Sequence, residues 1–341
     1  MLQVRTGMDY LVASKKKDLR PKETIVYFGK MMDSTGEVVK WKHGYEGVDL
    51  CGGLGQALCR ENGDVLIRLP GRALDWIRDR NLLSESELNC TDADICRLFT
   101  DNDFGATRVD VAMDTNDPAV SQHVVQDTVH AGYFTARVKK AGLADSWDID
   151  KPESKFENGT FYLGSRLSSR YMRVYNKQAE VLQATGKDIG HLTRFELEIK
   201  GKGASKILQQ LEHYGSDCVP SIFAGWINFR DSKDDNPRMD RKDLVDWWDR
   251  MVGGYTPIRL GLTRTASTPE RSLLWLKNGV AKTLALAEEF GLMPEVQAAM
   301  ENARHKIKET ERKQWEHFEQ CRKNGRTAGS WGMTEGAGDA K

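Results

Sequence analysis

The stretch Arg108-Val109-Asp110-Val111-Ala112-Met113-Asp114 alternates with a period of two. Arg108, Asp110 and Asp114 share one parity; Val109, Val111 and Met113 share the other. That pattern predicts a strand with one apolar face and one charged face. Two later stretches repeat it. Tyr171-Met172-Arg173-Val174-Tyr175-Asn176-Lys177 sets Tyr171, Arg173, Tyr175 and Lys177 on one side, and Arg194-Phe195-Glu196-Leu197-Glu198-Ile199 sets Arg194, Glu196 and Glu198 on one side. If the three strands share a sheet, Asp110, Asp114, Glu196 and Glu198 meet Arg108, Arg173, Arg194, Tyr171 and Tyr175 on a single surface. Solubility alone does not call for that mixture. It suits a divalent cation beside a phosphodiester.

The rest of the chain bounds the possibilities. At 341 residues it makes one large domain or two ordinary ones. The formal net charge is +0, so any attraction to nucleic acid has to come from local patches. The cysteines, Cys51, Cys59, Cys90, Cys96, Cys218 and Cys321, form no CxxC, which argues against zinc. No signal peptide and no apolar run of membrane length is visible, so a cytoplasmic protein with reduced thiols, away from the membrane, is expected.

Residues 1–70 read as β-rich, with strands over Thr24–Phe28 and Asp64–Leu69. Helices are predicted over Arg72–Asn81, Ser84–Thr100 with Thr91 as a cap, Val120–Gly132, Ala179–Ala184 stopping near Gly186, and Ser205–Tyr214. Tyr133–Val138 and Gly159–Gly164 read as strands, and Lys151–Asn158 as a loop. The order strand, helix, strand, strand, helix, strand predicts an α+β fold, an antiparallel sheet of ferredoxin-like βαββαβ character. A charged stretch over Asp231–Asp243 reads as a linker. The expected organisation is a catalytic domain over 1–230, a smaller helical C-terminal region over 244–323, and a disordered Gly-rich tail over 324–341.

Each candidate residue carries a chemical argument. Asp110, Asp114, Glu196 and Glu198 offer the oxygen ligands that Mg²⁺ or Mn²⁺ favours; the alternative is a solvated face of acid–arginine pairs. Tyr175 is a candidate nucleophile, with Tyr171 as its competitor. A free tyrosine is about 0.1% phenolate at neutral pH, so Lys177, Arg173, a metal or a base must activate it. Ser165, Arg166, Ser168 and Arg170 form a turn whose hydroxyls, amides and guanidinium groups can hold phosphates, or simply a polar hairpin. Lys200-Gly201-Lys202-Gly203 lacks the spacing of a phosphate-binding ATPase loop. Arg304–Lys323 reads as a basic amphipathic helix, with Arg304, Lys306, Lys308, Arg312 and Lys313 able to load one face for DNA or for solvent.

The ordered set Arg108–Asp114, Tyr162-Leu163-Gly164-Ser165-Arg166, Arg173–Lys177 and Arg194–Glu198 resembles the replication initiation factor family, the initiators of rolling-circle plasmids with relatives in filamentous phages. Ser272-Leu273-Leu274-Trp275-Leu276 and Thr283-Leu284-Ala285-Leu286 resemble the later part of the phage-type members. The likeness runs over roughly Gly44–Gly291. It implies an origin-specific nicking-closing enzyme. Tyr175 would attack a phosphodiester, leaving a 5′-phosphotyrosine and a free 3′-OH primer. It implies metal-binding acids on the Asp110/Asp114 and Glu196/Glu198 strands, and Arg173 or Arg194 offsetting developing charge. Origin DNA, a host helicase and a DNA polymerase are the implied partners, with a homodimer as a further expectation. Asn176 departs from the acid often found at its position. A non-catalytic DNA-binding regulator of the same fold is the competing expectation.

Overall fold

The computed structural model describes residues 3–83, 90–136, 138–144, 159–258, 269, 272–273, 276–305, 307 and 309–323. The three alternating stretches are neighbouring strands. β6 (Gly105–Thr115) pairs antiparallel with β11 (Thr193–Lys200), and β11 with β10 (Arg170–Asn176). The register sets Tyr171, Glu198 and Asp110 side by side, and likewise Arg173, Glu196 and Ala112, and Tyr175, Arg194 and Asp114.

These strands lie inside a ten-stranded antiparallel sheet. The others are β1 (Val4–Lys15), β2 (Val38–Trp41), β3 (Tyr45–Leu50), β4 (Gly55–Cys59), β5 (Val65–Pro70), β8 (Ala141–Ala144) and β9 (Thr160–Gly164). The order across it is β2-β3-β4-β5-β1-β6-β11-β10-β9-β8. β6, β9, β10 and β11 keep the predicted order along the chain, and β11 inserts between β6 and β10. The expected α+β antiparallel class holds, with more strands than predicted. β7 (Phe134–Ala136) leaves this sheet and pairs with β12 (Ile227–Phe229).

One face of the sheet buries the apolar parity. Val109, Val111, Met113, Met172, Val174, Phe195, Leu197 and Ile199 all lie in the core. Helices cover that face: α1 (Pro21–Met31), α2 (Gly71–Asp79), α3 (Asp92–Asp101), α4 (Gln122–His130), α6 (Lys202–Tyr214), α7 (Val219–Ala224) and α8 (Asp246–Val252). A further helix, α5 (Lys177–Thr185), follows β10 and ends at Gly186 in the left-handed conformation (φ 71°), which glycine adopts without Cβ strain. Thr91 caps α3 in a reciprocal capping box with Asp94. The predicted start at Ser84 and the predicted loop over 151–158 lie outside the described residues.

Two expectations need correction. Thr24–Phe28 belongs to α1, not to a strand. Pro21 occupies its first turn, and Ile25, Phe28, Gly29 and Met32 recur at helical spacing on the buried side. The β-branched Thr24-Ile25-Val26 run mimicked a strand. The expected linker over 231–243 also does not divide the chain. Arg230 bridges Leu244, and α8 then packs Trp247 and Trp248 against Phe195 and Phe229. The first compact unit is Met1–Gly261, and the second runs from Leu262.

The second unit contains α9 (Ala281–Glu289), α10 (Met293–Arg304) and α11 (Glu309–Lys323). The single basic helix expected over 304–323 is therefore interrupted: Arg304 ends α10, and Arg312 and Lys313 sit exposed on α11. Lys306, Lys308 and the expected tail over 324–341 lie outside the described residues.

Candidate active site

The charged parity of β6, β11 and β10 forms the floor of a cleft of about 770 Å³. Arg108 grips Asp110 with two nitrogens at 2.8 and 2.5 Å and reaches Glu198 at 2.7 Å. Arg173 is bonded to Glu196 and lies 3.8 Å from Asp110. Arg194 holds both oxygens of Asp114, at 2.6 and 2.7 Å. Lys200 sits against Glu198. The Tyr175 hydroxyl donates to Oε2 of Glu196 at 3.3 Å.

β1 adds a residue the alternation did not reveal. Its register shifts between Met8 and Tyr10, and the bulge aims Asp9 at the third nitrogen of Arg194, 2.7 Å away. The bulge is pinned from beneath. Buried Asp92 accepts the Met8 amide at 2.7 Å and pairs with Arg78, which also donates to the Met8 carbonyl. A bulge breaks the period of two, so sequence alternation could not place Asp9 on the face. The nearby Tyr10 ring lies under Arg108, 4.4 Å from the guanidinium carbon.

Burial sets the titration of the floor. It pushes Glu196 up to about 7, against the opposing pull of Arg173 and with help from Asp9 and Asp110. Asp110 is likewise raised by burial, even with Arg108 bound to it. Burial and then the Glu196 charge hold the Tyr175 phenol well above its ordinary value, so the resting phenol is neutral. For Arg108, Arg173 and Arg194 burial alone would weaken the charge, but their carboxylate partners outweigh it and all three are raised.

Lys177 opens α5, pairs with Glu180 at 3.0 Å and keeps its ammonium 5.9 Å from the centre of the Tyr175 ring. Asn176 caps that helix, its side-chain oxygen accepting the Ala179 amide at 3.0 Å. An aspartate could cap equally well, which accounts for the departure noted at this position. Tyr171 stacks on Tyr162, and Arg166 lies over the Tyr171 ring. Ser168 donates its hydroxyl to the turn's own carbonyls, and Ser165 accepts the Leu167 amide. Arg170 begins β10 opposite Ile199. Arg304 pairs with Glu301.

The donor set suits a hard cation. Asp9, Asp110, Asp114, Glu196 and Glu198 meet Arg108, Arg173, Arg194 and Lys200, leaving one carboxylate in excess. The arrangement does not yet present a cage. Among the described residues no three His, Cys, Asp or Glu side chains converge on one point, because guanidinium groups fill the spaces between the acids.

The comparisons with known proteins fit this geometry. The family model described as replication initiation factor matches residues 105–300, a span that contains β6, β10 and β11. The chain belongs to the replication initiation factor family. A solved structure titled as the rolling circle replication initiator protein from Geobacillus stearothermophilus shares the fold. The TM-score is 0.59 at 19% identity, over 75% of this chain and 98% of that one. No curated protein matches. Among the described residues, no helix of this replication initiation factor is long and apolar enough to cross a membrane.

Proposed function

We propose that this replication initiation factor nicks one strand of origin DNA with Tyr175 as nucleophile and Glu196 as its general base. The contact between the Tyr175 hydroxyl and Glu196 Oε2, at 3.3 Å, carries the reading. A phenol held neutral by burial needs its proton removed as it attacks, and a carboxylate titrating near 7 is matched to that task. The phenol oxygen bonds to phosphorus as its proton passes to Glu196. The bond from phosphorus to the 3′ oxygen breaks, that oxygen takes a proton from solvent to become the free 3′-OH, and Glu196 returns its proton to solvent. The 5′ side stays on Tyr175 as a phosphotyrosine. Arg173 and Arg194 line the same cleft and supply positive charge for the phosphate oxygens. Tyr171 competes poorly: its ring stacks on Tyr162 and meets the Arg166 guanidinium, and the described contacts give it no carboxylate base.

Mg²⁺ or Mn²⁺ would be held by Asp110 and Glu198 in exchange for guanidinium contacts, leaving Glu196 free to act as base, and would supply further charge stabilisation at the phosphate. Asp114, with both oxygens on Arg194, serves better to orient that arginine. A helicase and a polymerase would then use the primer end. The regulator reading has one observation in its favour: each of the four predicted acids already holds a cationic side chain. One experiment separates the two. Supercoiled origin DNA incubated with protein and Mn²⁺ should give an SDS-stable covalent adduct on a gel, absent from Tyr175→Phe. No adduct from the unmodified protein would leave the regulator.

A further inference from the structure

The sheet continues past the cleft into β2–β5, upstream of the residues that the family model matches. There, on the same face as Tyr10 and Asp110, two arginines lie over aromatic rings. Arg68 sits 3.8 Å from the centre of the Trp41 ring, and Arg60 sits 4.1 Å from that of Tyr45. Trp41 and Tyr45 are directly opposed across β2 and β3. The charge logic differs from that of the cleft. Arg108, Arg173 and Arg194 are each neutralised by carboxylates, whereas Arg60 and Arg68 have no carboxylate partner among the described residues. The Arg60 Nε is buried without any hydrogen bond. Trp41 is 39% exposed, a large apolar surface left open at a sheet edge.

The array is continuous with the cleft. Arg68 donates to the Tyr10 hydroxyl at 3.0 Å, and the Tyr10 ring lies beneath Arg108, which lines the cleft. Aromatic rings interleaved with cations that lack counter-ions are what single-stranded DNA needs: stacking surfaces for bases and positive charge for phosphates, without groups that read sequence. A duplex would offer its phosphates but hide its base faces.

We propose that the β2–β5 face, built on Trp41, Tyr45, Arg60 and Arg68, is a sequence-independent binding track for single-stranded DNA that feeds the Tyr175 cleft. It rests on the nicking reading for the class of its ligand, and its test does not require cleavage. The probe is a fluorescein-labelled oligo(dT) of about twenty nucleotides, titrated by anisotropy across a salt series. Trp41→Ala should weaken binding about tenfold, and Trp41→Phe should restore most of it. Arg60→Gln and Arg68→Gln should each reduce the slope of log affinity against log salt by about 0.7. Unchanged affinity in Trp41→Ala with unchanged slopes in both arginine variants would overturn the track, whether or not the protein nicks. Equal loss of binding to the matching dA·dT duplex would overturn the single-strand assignment. Weakened oligo(dT) binding in a protein that forms no adduct would keep the track and sink the nicking reading.

Discussion

Oε2 of Glu196 lies 3.3 Å from the Tyr175 hydroxyl, while its other oxygen is bound by Arg173. The same carboxylate thus faces a neutral donor on one side and a fixed cation on the other. Burial places its titration near 7.

If Glu196 is the base, single-turnover cleavage has a defined pH profile. Glu196 must be ionised to accept the proton. The rate should rise about tenfold per unit up to about 7, then level off. Glu196→Gln should cut the rate by about 10²–10⁴ and flatten that limb, and Tyr175→Phe should abolish the adduct. A rate independent of pH from 5 to 8 in the unmodified protein would remove Glu196 from this role.

Cation binding should also depend on pH. Burial raises Asp110, and a metal needs it as a carboxylate. Calorimetry of Mn²⁺ in buffers of different ionisation enthalpy should therefore show proton release at acid pH that fades as the pH rises. Asp110→Asn should weaken binding and Asp114→Asn much less. Equal effects of the two variants would contradict the exchange of cation for guanidinium described above.

Trp248 is fully buried and meets Phe195, the strand residue behind the site. Trp248→Ala should cost about 3–5 kcal/mol in urea unfolding. A chain ending at residue 261 should keep cooperative unfolding of the first unit, and one ending at residue 245 should lose it. Cooperative unfolding of the shorter chain would restore the boundary expected near residue 230.

Duplex recognition is expected to fall to the second unit, where Arg312 and Lys313 are exposed on α11. Truncation before Glu301 should weaken origin duplex binding and make its salt dependence shallower, while a single-stranded oligonucleotide is still cut. An unchanged slope would move readout to the turn around Arg166 and Arg170.

The strands that carry Tyr175, Asp110 and Glu196 were legible because each alternates without a break. A one-residue period error would have put Val109 and Phe195 in solvent. Asp9 was not legible, because the bulge beside it inverts the parity of β1. Nor was α1, where Thr24-Ile25-Val26 favours a strand locally and only the spacing of Ile25, Phe28 and Met32 reveals the buried helix face. Trp247 and Trp248 were read as part of a separate region because composition does not report which core a short helix joins. Acid–arginine pairing was an expected alternative, but as a solvated face; strand parity puts the groups on one side and says nothing of which partner each rotamer chooses or how deeply the pairs are buried.

The strand order also sets a timetable for synthesis. β1, made first, sits between β5 and β6, and β11, made well after β10, sits between β10 and β6. Until Thr193–Lys200 leaves the ribosome, β6 and β10 each present a bare edge, and Tyr175 has neither Glu196 nor Arg194 beside it. A nascent or prematurely ended chain would hold Tyr175 without its Glu196 and Arg194 neighbours. Such long-range pairing slows folding and exposes sticky edges meanwhile. In return, under the proposed mechanism, no fragment shorter than the completed sheet would be able to break a DNA strand.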